Sequence, residues 1–199
     1  GLISELEAGA AVWQVDSPYV AQIVRVEASA FVSDAFHPPA PVPALVLEYH
    51  RGAVPLDTLT ATWEEVVLSV LAKLAQGLVA VHRAHLAHGA LCPNAVMVVA
   101  DDAGGMRPLL VGFGPLSDGA GTLVGGPAAY APPEADSGAD PDAAWDVWSM
   151  GVLICRALTG RLPFRPGSSR AGGGDTGGRP RVLARDHIDL SMVQGDVRD

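Results

Sequence analysis

Residues 143–158 constrain any fold of this chain more than any other stretch. They run Ala-Ala-Trp-Asp-Val-Trp-Ser-Met-Gly-Val-Leu-Ile-Cys-Arg-Ala-Leu, apolar on nearly every face of a helix. Asp142 stands where an N-cap should, because its side-chain oxygen can accept from the first free amides. Gly160 stands where a helix prefers a left-handed residue, and Pro163 forbids continuation. A helix with no polar face has to be covered on all sides. The sequence therefore predicts a central helical post whose Trp148, Val152, Leu153, Ile154 and Leu158 need cover on all sides, and whose apolar surface stays partly exposed because only residues 182–199 follow, behind a Gly-rich linker. At 199 residues and 49% hydrophobic, the chain can bury such a core in one domain, with or without a tail.

The other elements follow from period and punctuation. Residues 1–16 read as a helix with loosely spaced apolar positions, ended by Ser17-Pro18. A strand starts at Ile23, and His37 to Pro41 reads as a loop because proline cannot donate to a ladder. Ala44–Tyr49 is a second strand. Thr62-Trp63-Glu64-Glu65 is a capping box, opening a helix to about Ala84 with Val67, Val70, Leu71, Leu74, Leu78 and Val81 on one stripe. Val96–Val99 and Leu109–Val111 read as strands joined by a turn over Asp101–Gly105.

Between those elements lie four short blocks in a fixed order. They are His88-Gly89-Ala90-Leu91-Cys92-Pro93-Asn94-Ala95, Gly112-Phe113-Gly114, Pro132-Pro133-Glu134 and Asp146-Val147-Trp148-Ser149-Met150-Gly151. Together they resemble the eukaryotic-type protein kinase motifs H-R-D-L-K-P-x-N, D-F-G, A-P-E and D-x-W-S-x-G. The resemblance implies an α+β fold: a protein-kinase-like, mainly helical C-lobe, with a truncated N-lobe remnant and an incomplete C-lobe end. It divides the chain into four parts. Residues 1–60 are the remnant, holding one helix, two strands and the hinge, and residues 61–164 are the C-lobe. Residues 165–181 are a Gly/Arg-rich linker, and residues 182–199 a short segment of undefined fold. Leu47 takes the gatekeeper position, and Ala8, beside Glu7, the helix glutamate position.

The resemblance also assigns roles. His88 and Phe113 stack in the column that joins the lobes, with Val12 as its helix member. Asp146 bonds the loop after His88, and Leu91 and Pro93 shape that loop. Gly114 and Glu134 complete their motifs, and Trp148 and Gly151 let the central helix pack closely. The positions that perform chemistry differ. Ala90 stands for the aspartate that accepts the hydroxyl proton and Cys92 for the loop lysine. Ala95 and Gly112 stand for the two Mg²⁺ ligands. The chain's one lysine, Lys73, lies on a helix, and the glycine-rich phosphate loop is missing from the sequence. Gly89 replaces the arginine that would pair with a phosphorylated Thr122 or Ser117.

The expectation drawn from these replacements is a pseudokinase, not an enzyme, with no cofactor, no metal and no binding of ATP·Mg²⁺. It would work as a scaffold, allosteric partner or structural subunit through a protein partner covering the apolar central helix. The alternative is a divergent ATP-dependent serine/threonine kinase, or another nucleotide-dependent transferase, with relocated residues. Net charge −9 argues against nucleic acid as a partner. No stretch is long and apolar enough for a membrane span. Two cysteines and no leader pattern fit an intracellular, cytoplasmic protein. Three further readings are weighed. His82, His85 and His88 are spaced for a metal but are one ligand short, so a core histidine with two on the helix surface is preferred. Gly119–Gly126 looks like a phosphate loop but lacks lysine. Cys92 as a nucleophile has no demonstrable histidine partner.

Overall fold

The computed structural model describes residues 11–12, 14–32, 40–59, 66–101, 103–113, 116–117, 123–124, 128–137 and 139–163. Several expectations lie outside them: Glu7 and Ala8, His37 to Pro39, the capping box, Gly114, Thr122, the Gly119–Gly126 loop as a whole, the linker and the last segment. Ala11 and Val12 are helical, and Val12 is buried in the main core.

Strands β1 (Ile23–Val32) and β2 (Ala40–Leu47) form an antiparallel pair. Pro41 pairs with Phe31, so Ala40 and Pro41 belong to a strand and not to the expected loop. A two-stranded sheet has only edge strands, where a proline without an N–H is tolerated. The chain then enters β3 (Val54–Pro55), which joins β4 (Val96–Ala100) and β5 (Met106–Leu110) in a three-stranded antiparallel sheet of order β3-β4-β5. A backbone crossing ties the two halves. Ala21 N donates to Leu110 O at 3.0 Å, and Leu110 N donates to Tyr19 O at 2.8 Å.

Helix α1 spans Ala72–Arg83, preceded by a π-helical turn at Val66–Leu71 that nothing in the sequence explains. Val70, Leu71, Leu74, Leu78 and Val81 are buried, as the stripe requires. On its polar side Lys73 Nζ lies 3.2 Å from Asp101 Oδ2 and donates to Met106 O at 2.7 Å. That pins the helix to the β4–β5 turn, where Gly105 N–H and then Lys73 hold the Asp101 carboxyl below its ordinary range. Gly77 is the point of closest approach: a Cβ there would lie 3.0 Å from Tyr19 Cβ and 3.2 Å from Leu110 Cδ1.

Two short strands, β6 (Leu116–Ser117) and β7 (Leu123–Val124), pair with each other. Helix α2 covers Ala143–Thr159, with Asp142 Oδ1 accepting from Ala144 N and Trp145 N. Gly160 closes it at φ 68°. Its burial is uneven, with part of the apolar surface left uncovered as expected. Val152 and Leu153 are in the core and Trp148 is half-buried against it, but Val147, Ile154 and Leu158 are exposed, at 66%, 36% and 42%. These three and Gly151 form one stripe, because α1, the π-turn and residues 128–130 pack on the other side. Gly151 is exposed, and among the described residues nothing lies within 4 Å of an added Cβ, so they do not provide the close packing expected at that glycine.

Candidate active site

Asp146 is 1% exposed, on the first turns of α2. A buried carboxylate must be compensated by donors. Its Oδ2 accepts from His88 N at 2.8 Å and its Oδ1 from Gly89 N at 2.9 Å. His82 Nε2, from the last turn of α1, donates to Oδ2 at 2.8 Å. The loop after α1 is thus held from the buried helix through its backbone. This loop geometry can form whatever side chain stands at position 90.

His88 is fully buried and carries the loop onward. Its Nε2 faces Val111 O at 2.9 Å, and its Nδ1 faces Ala90 N at 3.3 Å. A carbonyl can only accept and an amide can only donate, so the neutral ring carries its proton on Nε2. Burial lowers the His88 pKa below 6.5, against the opposing pull of Asp146. The ring also packs on Phe113, with centroids 4.5 Å apart. Leu91, Pro93, Ala95 and Cys92 turn into the core. Burial pushes the Cys92 thiol up, away from the reactive thiolate.

Val111 also borders a cleft beneath the segment that follows β2. Ala21, Leu47, Glu48, Tyr49, Ala53 and Met97 are among its lining residues, and its volume is about 230 Å³. The lining is mostly apolar, which suits a flat ring. Gly112 follows at φ 70°, open to space for a Cβ. Beyond the cleft, Ser149 Oγ donates to Tyr130 O at 2.8 Å, and Arg156 donates to the buried Tyr130 hydroxyl. Both tie residues 128–130 to α2. Glu134 is exposed.

Comparison with curated proteins gives this geometry a family. The chain is 34% identical over 134 residues to a serine/threonine-protein kinase, drp72, of Corynebacterium efficiens, covering 63% of this chain and 25% of that one. It is 33% identical to Pkn1 of Myxococcus xanthus, covering 62% and 19%. Against AfsK of Streptomyces griseus it is 29% identical over 201 residues, covering 98% and 22%. These similarities support a member of the protein kinase superfamily. No family model matches it. The chain spans a quarter or less of the length of these relatives.

Within a kinase-family fold, the expectation that this chain is not an enzyme needs correction. Its relatives are named as serine/threonine-protein kinases, which are enzymes, and the similarity points to an enzyme here too. The structure brings His88, Phe113, Leu91, Pro93 and Asp146 together, as the motifs imply. His82 and His85 are not the paired surface histidines expected. His82 turns inward to Asp146, and His85 lies past the end of α1 at φ 59°. Sequence reasoning missed His82 because its partner is 64 positions away. It also missed the Asp57–Asn94 contact, which requires the Asn94 amide to be turned so that its nitrogen, not its oxygen, faces the carboxylate and donates to it at 2.9 and 3.2 Å. Among the described residues no cluster of three His, Cys, Asp or Glu could hold a metal ion, and no helix is long and apolar enough to cross a membrane.

Proposed function

We propose that the chain is part of a divergent ATP-dependent serine/threonine protein kinase, whose charge-handling groups stand outside the usual motif positions. The observation that carries this reading is the cleft lined by residues 47–50 and by Val111, directly before Gly112, in a chain whose relatives are named kinases. The base of a nucleotide fits that lining. Mg²⁺ does not fit positions 95 and 112, because alanine and glycine offer no side-chain oxygen. Asp57 and Asn94 are an oxygen-bearing pair beside the loop, and Asp57 is exposed. They are the first candidates for a relocated role.

The test is transfer of γ-labelled phosphate from ATP to a serine- and threonine-containing protein, with Mg²⁺ or Mn²⁺. The reading expects transfer by the native chain and at least roughly a hundredfold less by Asp57→Asn, the scale of a lost acid–base group. Absence of transfer by the native chain under both metals overturns it. The exposed stripe Val147, Ile154 and Leu158 supports a second element of the proposal, a protein partner that covers α2, since a continuous apolar patch marks an interaction surface. An apolar dye that fails to bind the isolated chain would count against that partner.

A further inference from the structure

We infer that a second cleft, which shares Glu48, His50 and Leu109 with the apolar one, is a binding site for a basic α-amino acid. Its volume is about 390 Å³, and Asp16, Ser17, Gln22 and Arg107 line it but not the first cleft. Two carboxylates, Asp16 and Glu48, stand against one guanidinium, Arg107, an excess of one negative charge. A ligand matched to that lining carries one carboxylate and two cationic groups, which is the constitution of free arginine or lysine. Arg107 is held in place, because its Nη1 donates to Pro18 O at 2.7 Å. Most of its planar fork is left for a carboxylate. Ser17 is only 6% exposed, yet it lines the cleft. Its Oγ accepts from Tyr19 N at 3.3 Å, but its hydroxyl proton meets no acceptor among the described residues. A buried donor without a partner costs free energy. A ligand carboxylate between Arg107 and Ser17, which meet through Pro18, supplies that acceptor.

The cationic end has its partners on the other flank. Glu48 N donates to Gln22 O at 2.9 Å, which ties the segment after β2 to the cleft. The Glu48 carboxylate is half-exposed, 3.7 Å from His50 Nε2, and open to an ammonium or guanidinium arriving from solvent. None of these residues lies in the four motif blocks. An occupant also touches Glu48, His50 and Leu109 from behind the apolar cleft, so the two sites are coupled. Whatever one ligand does to the affinity of the other is returned in equal measure. That coupling rests on the nucleotide reading of the apolar cleft, whereas amino-acid binding does not.

Titration of the full chain with L-arginine, followed by amide chemical shifts, tests the site. Saturable binding should move the Ser17, Glu48 and Arg107 amides and leave the Val152 amide of α2 in place. Arg107→Gln, which can still donate to Pro18 O, should weaken binding at least roughly tenfold, the scale of one lost charge-assisted bond. Ser17→Ala should weaken it roughly threefold or more. Agmatine, which is arginine without its carboxylate, should bind the native chain more weakly and lose nothing further in Arg107→Gln. Should Arg107→Gln fail to fold, Ser17→Ala and the comparison of arginine with agmatine carry the test. No saturable binding up to roughly 10 mM arginine, native affinity in the variants, equal binding of agmatine, or shifts confined to other residues overturns the inference. Arginine binding at these residues together with a failure of phosphate transfer would sink only the kinase reading.

Discussion

Asp146 and Ala90 occupy the same site but answer to different physics. Truncating Asp146 strands two buried amides, at a cost of about 1–3 kcal/mol, whereas position 90 is half-buried and makes no side-chain bond. Asp146→Ala should therefore melt well below Ala90→Asp, and equal melting points would contradict the assignment of this loop. His88 predicts a pH dependence. Its folded pKa is lowered below the unfolded 6.5 by burial, so the unfolded chain binds a proton that the folded chain refuses. Its contribution is full above that value and is lost as pH falls below it toward the folded pKa. Urea midpoints at about pH 7.5 and 5.5 should differ less in His88→Phe than in the native chain, and an unchanged difference would refute the neutral ring. Both residues were legible because they sit in motifs with a physical role. His82 was not, because three-residue spacing speaks only of a shared helix face, and its partner arrives from a distant helix.

The two glycines in helices separate packing from propensity. Gly77 lies 3.0 Å from Tyr19 Cβ at its virtual Cβ, so Gly77→Val should cost about 1–3 kcal/mol through overpacking. Gly151 faces open space, and Gly151→Ala should add roughly 0.5–1 kcal/mol by helix propensity alone. Chemical denaturation of the two variants checks both signs, and a destabilised Gly151→Ala would show that something covers that stripe. The bounds of α2 could be read from Asp142 and Gly160, since caps are local chemistry. That part of its apolar surface stays exposed could be argued from the short chain that follows, but which stripe could not, because composition does not report which neighbours pack on which face. Pro41 in β2 was missed for a related reason, since proline's exclusion from strands lapses at an edge.

At the scale of the molecule, the order of the four motif blocks gave the family and the loop geometry. The cleft was harder to foresee. Its lining comes from residues 21, 47–50, 52–53, 97, 109 and 111, brought together by the Tyr19–Ala21 crossing onto β5, which no local period encodes. The expectation of no enzyme was misjudged as well: four motif replacements argued against one, while the kinase relatives point to one. The measurement that bears most directly on the account is therefore thermal unfolding with ATP·Mg²⁺, in the native chain and in Ala53→Trp, which fills the cleft. Saturation at about 100 times Kd adds roughly 2.7 kcal/mol, or roughly 5–10 °C for a domain of this size. The account predicts that rise in the native chain and its loss in Ala53→Trp. No rise in the native chain, or the same rise in both, would contradict it.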